Sequence, residues 1–297
     1  MIRLSVIIPT LDRSRALAAC LESLTIDFPE EGEVIVVDDG GREDLGPVVR
    51  PFVGPLRLTL LETSHGGPAA ARNRGLAVAR GDVVAFTDDD CRPRAGWLAA
   101  LAAGVRTSPP HAVGGATVNG LPGNVYAETT QLVLNLLSHH DRERSGRERL
   151  LPSNNFAFPL GPLRDLGGFD ESFRTAEDRD LCRRWAAAGY TLGRVPTAVV
   201  EHDSELDLAA FVRKFVDYGR GAARFHASGK DPSLRESARF HFRLPALLMP
   251  ELRRRGRVRS LAIVALLALW EAANLAGYVL ERRRATAPLP AKLPVNT

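Results

Sequence analysis

The segment formed by residues 82–90 constrains the fold of this chain more than any other. Residues 83–86, Val-Val-Ala-Phe, are typical of a parallel strand that is buried on both faces. Residues 88–90 are all aspartates, and their charges repel one another unless a cation lies nearby. A divalent metal such as Mg²⁺ or Mn²⁺ meets this need, because both ions prefer hard oxygen ligands. The alternative is a solvated acidic loop, or a set of caps for a helix that begins near Gly96.

Apolar runs and helical patterns alternate along the first third of the chain, which predicts a doubly wound sheet of the α/β class. The predicted strands cover residues 4–8, 33–37, 56–61 and 82–86, and the predicted helices cover residues 15–24 and 69–79. In such sheets, ligands bind outside the carboxyl ends of the strands. The polar residues expected together at this edge are Thr10, Asp12, Asp38, Asp39 and Asp88–Asp90.

The pattern is less regular after Trp97. Further strands are predicted at residues 112–118, 152–158, 192–195 and 198–201, and further helices at residues 125–137, 175–188, 206–225 and 260–280. Residues 141–149 form a charge run that predicts a solvated or mobile loop. Gly219 and Gly221 favour a break in the long helix, and Pro245 and Pro250 are expected to interrupt the region after it.

Composition limits the broad class of the protein. A net charge of +4 over 297 residues gives no reason to expect nucleic acid as a partner. The three cysteines are widely separated and have no metal-binding or disulfide spacing, which fits a reducing compartment. The first residues enter a strand directly, so no signal peptide is expected and the predicted location is the cytoplasm.

Five segments in order resemble the motifs of family 2 glycosyltransferases, and the resemblance covers residues 3–203. The segments are residues 5–10 (SVIIPT), 36–40 (VVDDG), 67–75 (GPAAARNRG), 86–90 (FTDDD) and 176–181 (AEDRDL). The resemblance implies the GT-A fold, a doubly wound mixed sheet. It also implies inverting transfer of a sugar from a UDP-, GDP- or dTDP-linked donor to a glycan or a lipid-linked acceptor. The processive-synthase motif Gln-x-x-Arg-Trp is not found, so one sugar is expected per encounter.

The resemblance also assigns roles to individual residues. Those implied to bind the nucleotide sugar are Pro9, Thr10, Asp12, Asp39, Arg72, Asp88 and Asp89. Those implied to hold Mg²⁺ or Mn²⁺ are Asp88, Asp90 and His202. Those implied to form the donor-sugar or acceptor loops are Asn154, Asn155, Gly168, Phe169 and Asp170. From the residues alone, a turn residue before Gly40 and Gly41 is the simpler interpretation of Asp39, and a surface helix arginine is that of Arg72. His202 fits a loop histidine as well as it fits a metal ligand.

Asp178 is the general base that the resemblance implies, with Glu177 orienting the base or the donor sugar. Inversion requires a carboxylate that takes the proton of the attacking hydroxyl group. The structural alternative is a capping box, in which Thr175 caps a helix and Asp178 lies three residues later. Asp180 has a simpler interpretation as a helix carboxylate paired with Arg183 or Arg184.

Residues 260–280 are long and apolar enough to cross a bilayer, and arginine clusters flank them on both sides. Glu271 and Asn274 would be costly in lipid unless they had partners. The alternatives are a helix that lies in a membrane surface and a helix that packs on the catalytic domain. A helix that spans the membrane or lies in its surface would place the protein at the inner face of the cell membrane.

The sequence therefore predicts a GT-A catalytic domain at residues 1–205, a helical extension at residues 206–284 and a disordered tail at residues 285–297. Two other functions compete with sugar transfer. A nucleotidyltransferase would carry a Gly-rich, basic first loop, whereas residues 9–13 here are Pro-Thr-Leu-Asp-Arg. A non-catalytic protein that binds nucleotide sugars would not need the full set of carboxylates.

Overall fold

The computed structural model describes residues 3–227 and 234–286. Within these ranges the strands are Leu4–Thr10 (β1), Gly32–Asp38 (β2), Thr59–Glu62 (β3), Val83–Thr87 (β4), Cys91–Pro93 (β5), Arg106–Thr107 (β6), Pro110–Asn119 (β7), Asn155–Pro159 (β8) and Thr191–His202 (β9). The α-helices are Ser14–Leu24 (α1), Gly46–Val49 (α2), Pro68–Val78 (α3), Trp97–Gly104 (α4), Val125–Ser145 (α5), Leu160–Asp165 (α6), Glu177–Ala187 (α7), Leu208–Ala227 (α8), Leu234–Arg253 (α9) and Arg257–Thr286 (α10). A short 3-10 helix, Arg50–Phe52, follows α2.

These strands form one mixed sheet in the order β3-β2-β1-β4-β8-β7-β9-β5, with β6 paired to β7. β1 is parallel to both β2 and β4, and β2 is parallel to β3. β8 is antiparallel to β4 and to β7, whereas β9 is parallel to β7. Because β1, β2 and β4 run in one direction, their carboxyl ends meet at one edge, as the sequence predicts.

Alternate side chains of the central strands enter two different cores. Val6 lies in the core that includes α1, α2 and α4, whereas Ile7 lies in the core that includes α3, α6 and α7. Every side chain of β4 is buried, because helices cover both faces of the sheet. This burial explains the continuous apolar run at residues 83–86.

A third core joins α5 to α8, α9 and α10. Helices α8 and α10 lie very close together where Gly219 and Gly277 meet the opposite backbone. A Cβ atom at Gly277 would overlap with the carbonyl oxygen of Val216, and one at Gly219 would overlap with that of Asn274. Gly219 and Gly277 therefore permit the contact. Helix α8 is continuous through Gly219 and Gly221, contrary to the sequence prediction. The domain boundary at residue 205 remains a prediction.

Several predicted element boundaries are wrong. Helix α5 continues to Ser145 through the first part of the charge run, and α9 continues through Pro245 and Pro250. Buried leucines of α9, including Leu244 and Leu248, hold the helix in the third core despite its prolines. The two strands predicted at residues 192–201 are one strand, β9. The predicted tail begins too early, since α10 ends at Thr286, and residues 287–297 lie outside the described residues.

Candidate active site

The carboxyl ends of β1, β2 and β4 bring the predicted polar residues together. The Thr10 hydroxyl group donates a hydrogen bond to Asp89 Oδ2 at 2.7 Å, although 79 residues separate the two positions. The Asp39 amide donates to the Thr10 carbonyl oxygen at 3.0 Å. The strand pairing therefore creates the polar edge that the sequence predicts.

Asp39 fixes the loop that precedes α3. Its carboxylate accepts hydrogen bonds from the Gly66 and Gly67 amides, both at 2.8 Å, and His65 Nδ1 lies 2.9 Å from Oδ2. Gly67 has φ 91° and directly precedes Pro68, the first residue of α3. Asp39 is almost fully buried, and its carboxylate both holds this loop and lines the cleft at the edge of the sheet.

The three aspartates after β4 have different partners. Asp88 Oδ1 lies 2.7 Å from Arg72 Nη2, Asp89 Oδ1 lies 3.1 Å from Arg13 Nη1, and Asp90 Oδ2 lies 2.8 Å from the same Arg13 atom. Burial raises the pKa of Asp89 to about 7, against the opposing charge of Arg13. Two arginines of the chain itself thus relieve part of the repulsion that the sequence assigned to a metal.

Asp90 and His202 form a candidate metal site, because the pairing of β5 with β9 places Cys91 opposite His202. The ligand atoms of these three residues lie within 4.8 Å of one another. Burial raises the pKa of the Cys91 thiol well above its ordinary value, so this side chain stays protonated. The pKa of the Asp90 carboxyl group is shifted in the opposite direction. Burial alone would raise it, but His202 and nearby cations hold it below the usual range. One carboxylate and one imidazole remain. The carboxylate suits Mg²⁺ or Mn²⁺, whereas imidazole ligands are typical of transition metals, so the pair as a whole fits Mn²⁺ better than Mg²⁺.

Arg72 connects the aspartates to the region of the predicted base. Its guanidinium group donates to Asp88 through Nη2 and to Glu177 Oε1 through Nη1, the latter at 2.8 Å. The side chain is 3% exposed and lies over the Phe169 ring, 5.7 Å from the centroid. Arg72 is therefore a buried bridge between two carboxylates, not a surface arginine.

Asp178 lies in the first turn of α7, beside Glu177. Its Oδ1 accepts a hydrogen bond from the Arg179 amide at 2.7 Å, and its Oδ2 accepts one from the Ser153 amide at 3.4 Å. Burial raises the pKa of Asp178, with Arg179 opposing, which makes the carboxylate a stronger base. Burial likewise raises the pKa of Glu177 to about 7.

The capping-box alternative for Asp178 is wrong. Thr175 donates its hydroxyl hydrogen bond to the Asp217 carbonyl oxygen in α8, and Ala176 occupies the N-cap position with φ 70°. Asp180 has the structural role that the sequence predicts, because it pairs with Arg183 and Arg184, both at 2.6 Å.

A cleft with a volume of about 500 Å³ opens at this edge of the sheet. Its walls come from the strand ends, from α3 and, on the opposite side, from α8 and α10. The charged residues that line it are Arg13, Asp39, Arg72, Asp88, Asp89, Arg174, Asp217, Arg220, Arg224 and Arg284. The arginines outnumber the aspartates, which suits a ligand that carries phosphate groups.

The family model for glycosyl transferase family 2 matches residues 5–161 of the chain. The chain belongs to glycosyl transferase family 2. It is 34% identical over 226 residues to the pre-mycofactocin glycosyltransferase of Mycobacterium tuberculosis (strain CDC 1551 / Oshkosh), a match that covers 74% of this chain and 46% of that protein. It is 28% identical over 194 residues to the glycosyltransferase AglE of Haloferax volcanii, covering 63% of this chain and 62% of that one. The match to the mycobacterial relative thus spans about half of its length.

Solved structures show the same GT-A fold. A mannosyltransferase from Pyrobaculum calidifontis, in complex with GDP-Man and Mn²⁺, superimposes with a TM-score of 0.66 at 23% identity, covering 95% of this chain and 87% of that one. TarS from S. aureus, in complex with UDP-GlcNAc, superimposes with a TM-score of 0.55 at 20% identity, covering 95% and 91%. The fold predicted from the sequence is confirmed. Membership of the family also argues against a nucleotidyltransferase.

Some predicted site residues of this family 2 chain lie away from the cleft. Asn155 is fully buried, where it accepts a hydrogen bond from Trp97 and donates to the carbonyl oxygens of Ala116 and Ala198. Its amide group is thus fully used inside the core, so we do not retain it as a sugar contact. Asp12 accepts hydrogen bonds from the Arg42 and Glu43 amides, which lower the pKa of its carboxyl group.

Of the other predicted loop residues, Gly168 and Phe169 lie against α3, near Arg72. The Phe169 amide donates to Asn73 Oδ1 at 2.8 Å, and the Gly168 carbonyl oxygen accepts a hydrogen bond from Arg184. Asp170 accepts hydrogen bonds from Ser172. Asn154 Oδ1 lies 3.4 Å from the Thr117 hydroxyl oxygen. Pro9 lines the cleft, and its role in binding the donor remains a prediction.

The sequence analysis missed the contribution of α8. Lys214 is held near Asp90, and its Nζ lies 3.3 Å from Ser204 Oγ. Asp217, Gly221 and Arg224 follow on the same helix and line the cleft. The sequence contained a pattern that could have predicted this contribution. These positions recur every three or four residues and therefore lie on one face of the helix. Arg13 had no comparable signal.

Proposed function

We propose that this protein transfers one sugar from a nucleoside-diphosphate sugar to a hydroxyl group of a glycan or lipid-linked acceptor, with inversion at the anomeric carbon. Pro9, Thr10 and Asp39 shape the nucleoside end of the cleft, with Asp89 hydrogen bonded to Thr10. Asp178 is the general base. Family membership supports the class of reaction.

The observation that carries the proposal is the Arg72 bridge. One guanidinium group binds Asp88, beside the candidate metal site, and Glu177, beside the candidate base. The planar guanidinium group holds these two carboxylates in a fixed relation, and in the proposed mechanism it links the region that binds the leaving group to the region of the base.

The proposed reaction is a direct displacement. Asp178 takes the proton from the acceptor hydroxyl group as its oxygen forms a bond to the anomeric carbon. The bond between that carbon and the diphosphate oxygen breaks, and the nucleoside diphosphate leaves with the electron pair. Arg13, Arg220 and Arg224 add positive charge around the cleft where the diphosphate would lie.

Asp90 and His202, with Asp88 nearby, are the residues that would hold Mg²⁺ or Mn²⁺. Such an ion supplies positive charge that stabilises the departing diphosphate. The solved structure of the Pyrobaculum mannosyltransferase contains Mn²⁺ and GDP-Man, and that of TarS contains UDP-GlcNAc. Donors linked to UDP, GDP and dTDP therefore all belong in the first screen.

The experiment is an assay of sugar transfer and donor hydrolysis for Asp178→Asn and Asp90→Ala, after a screen of nucleotide sugars by thermal stabilisation. We expect Asp178→Asn to bind the donor and to lose about 10²–10⁴-fold in kcat, the usual contribution of a general base. Asp90→Ala should lose metal-dependent donor binding as well.

Asp82→Asn is the matched control, because Asp82 lies at the other end of β4 and pairs with the exposed Arg3. Full transfer by Asp178→Asn together with none by Asp90→Ala would show that the base assignment is wrong and the metal site is right. If the wild-type protein bound a donor but transferred its sugar to none of the acceptors tested, the non-catalytic alternative would be favoured.

A further inference from the structure

Helix α10 has two faces of different character. The buried face packs in the third core through Ile263, Leu266, Leu267, Trp270 and Ala273. The opposite face, which we call the outer face, is exposed and is formed by Val258, Leu261, Val264, Ala265, Ala268, Ala272, Leu275, Ala276, Val279 and Leu280. The exposed fractions are 71% at Leu261 and 64% at Leu275, which are large values for leucine. From Val258 to Leu280, this apolar stripe extends over roughly 35 Å of helix.

The contacts of α10 bind it to the rest of the protein along its length. Arg255, just before the helix, and Arg259 both pair with Glu128 of α5, at 2.7 and 2.5 Å. Glu281 at the other end pairs with Arg224 of α8 at 2.6 Å. By length and composition, residues 257–284 could cross a membrane, but a third of their most apolar window is buried inside the protein. A span would require all of these contacts to break.

Positive charge surrounds both ends of the outer face. Exposed Arg253, Arg254 and Arg257 lie at its start, and Arg282–Arg284 lie at its end. A second copy on this face would bring cationic ends together in either a parallel or an antiparallel arrangement. An anionic lipid surface instead complements both ends and covers the aliphatic residues between them.

We infer that the outer face of α10 docks on an anionic bilayer, with the helix lying in the plane of the lipid headgroups. The aliphatic side chains enter the boundary between headgroups and acyl chains, and the flanking arginines contact lipid phosphates. The membrane contact does not depend on the proposed function. If that function is right, the contact would also bring lipid-linked acceptors near the cleft, because Arg284 lines the cleft at one end of the outer face.

The test is flotation of the full-length protein with vesicles of phosphatidylcholine alone and of equal parts phosphatidylcholine and phosphatidylglycerol. We expect the wild-type protein to float with the mixed vesicles and to bind phosphatidylcholine at least several-fold more weakly. The double variant Leu261→Gln with Leu275→Gln should lose at least about tenfold in binding, because two leucines no longer enter the lipid.

The control is the double variant Ile26→Gln with Val53→Gln, which changes exposed apolar residues elsewhere, 67% and 50% exposed. It should float like the wild-type protein. Because all four side chains are exposed, circular dichroism and donor-induced stabilisation should be the same in both double variants, which separates loss of docking from loss of the donor site.

Three results would overturn the inference. The first is a wild-type protein that remains unbound with both kinds of vesicle. The second is a dimer in size-exclusion chromatography that the Leu261 and Leu275 changes dissociate, without binding to either vesicle, since a second copy would then cover the face. The third is protein that stays in the bilayer after an alkaline wash, which would indicate a helix that spans the membrane.

Discussion

At the scale of single residues, Arg72 is the side chain on which the site depends most. Arg72→Met would leave Asp88 and Glu177 without their shared cation, and removing one partner of a buried ion pair costs about 3–5 kcal/mol of unfolding free energy. Urea denaturation measures this loss. The same change at Arg74, on the same helix and 35% exposed, should cost less than about 1 kcal/mol. Equal losses in the two variants would show that the Arg72 bridge does not stabilise the fold.

The raised pKa of Glu177 makes the stability of the protein depend on pH. Burial raises this pKa to about 7 from its ordinary value of 4.5. The folded state therefore binds the proton more tightly, and this contribution to stability is complete below pH 4.5 and lost as pH rises through about 7. We expect the unfolding free energy of the metal-free wild-type protein to fall over this window more steeply than that of Glu177→Gln.

Urea denaturation at a series of pH values measures this difference. Glu22→Gln, at an exposed position of α1, is the control and should follow the wild-type curve. If the wild-type and Glu177→Gln curves are parallel across the window, the Glu177 carboxyl group does not titrate there.

At the scale of elements, the crossing of α8 and α10 predicts opposite effects for the same substitution at two helical glycines. Gly277→Ala should lower the unfolding free energy by about 1–3 kcal/mol, because the new methyl group overlaps with the Val216 carbonyl oxygen. Gly161→Ala in α6, where a Cβ meets nothing within 4 Å, should raise it by about 0.5–1 kcal/mol. Thermal denaturation of both variants checks the signs. A stabilising Gly277→Ala would mean that the two helices do not approach this closely.

The same element scale shows where sequence patterns are insufficient. The strands and the helices next to them were predicted because a strand covered on both faces must be apolar throughout, and because amphipathic helices repeat every 3.6 residues. Helix breaks were wrongly predicted at the prolines of α9 and the glycines of α8. Local propensity disfavours helix at these residues, and burial in the third core outweighs that preference.

At the scale of the whole molecule, donor binding and metal binding should be linked to stability. A ligand that binds only the folded state adds about 2.7 kcal/mol to the unfolding free energy when its concentration is 100 times its dissociation constant. We expect a nucleotide sugar with Mn²⁺ to raise the melting temperature, and a chelator to remove most of this increase. Asp90→Asn should abolish the metal-dependent part, whereas Asp82→Asn should retain it. An equal increase with and without the chelator would argue against a metal in donor binding.

The sequence by itself determined the sheet, the edge at which ligands are predicted to bind and the identity of most acidic residues there. Apolar runs that end in Thr10, Asp39 and the three aspartates require only local patterning and the rule that parallel strands share one edge. The family motifs extended the same reasoning to Asp178 and His202, whose roles remain predictions.

Only the tertiary structure decided which charges meet. Arg13 and Arg72 reach the aspartates, and Arg224 and Arg284 close the cleft from helices more than a hundred residues further along the chain. No local pattern encodes these contacts, because the energy of a charge depends on burial and on partners that folding brings within a few ångströms. For the same reason, the sequence does not determine whether residues 260–280 span a membrane, lie in its surface or pack on the catalytic domain. The packing of α10 on α5 and α8 buries one face of that helix and leaves the other apolar and exposed.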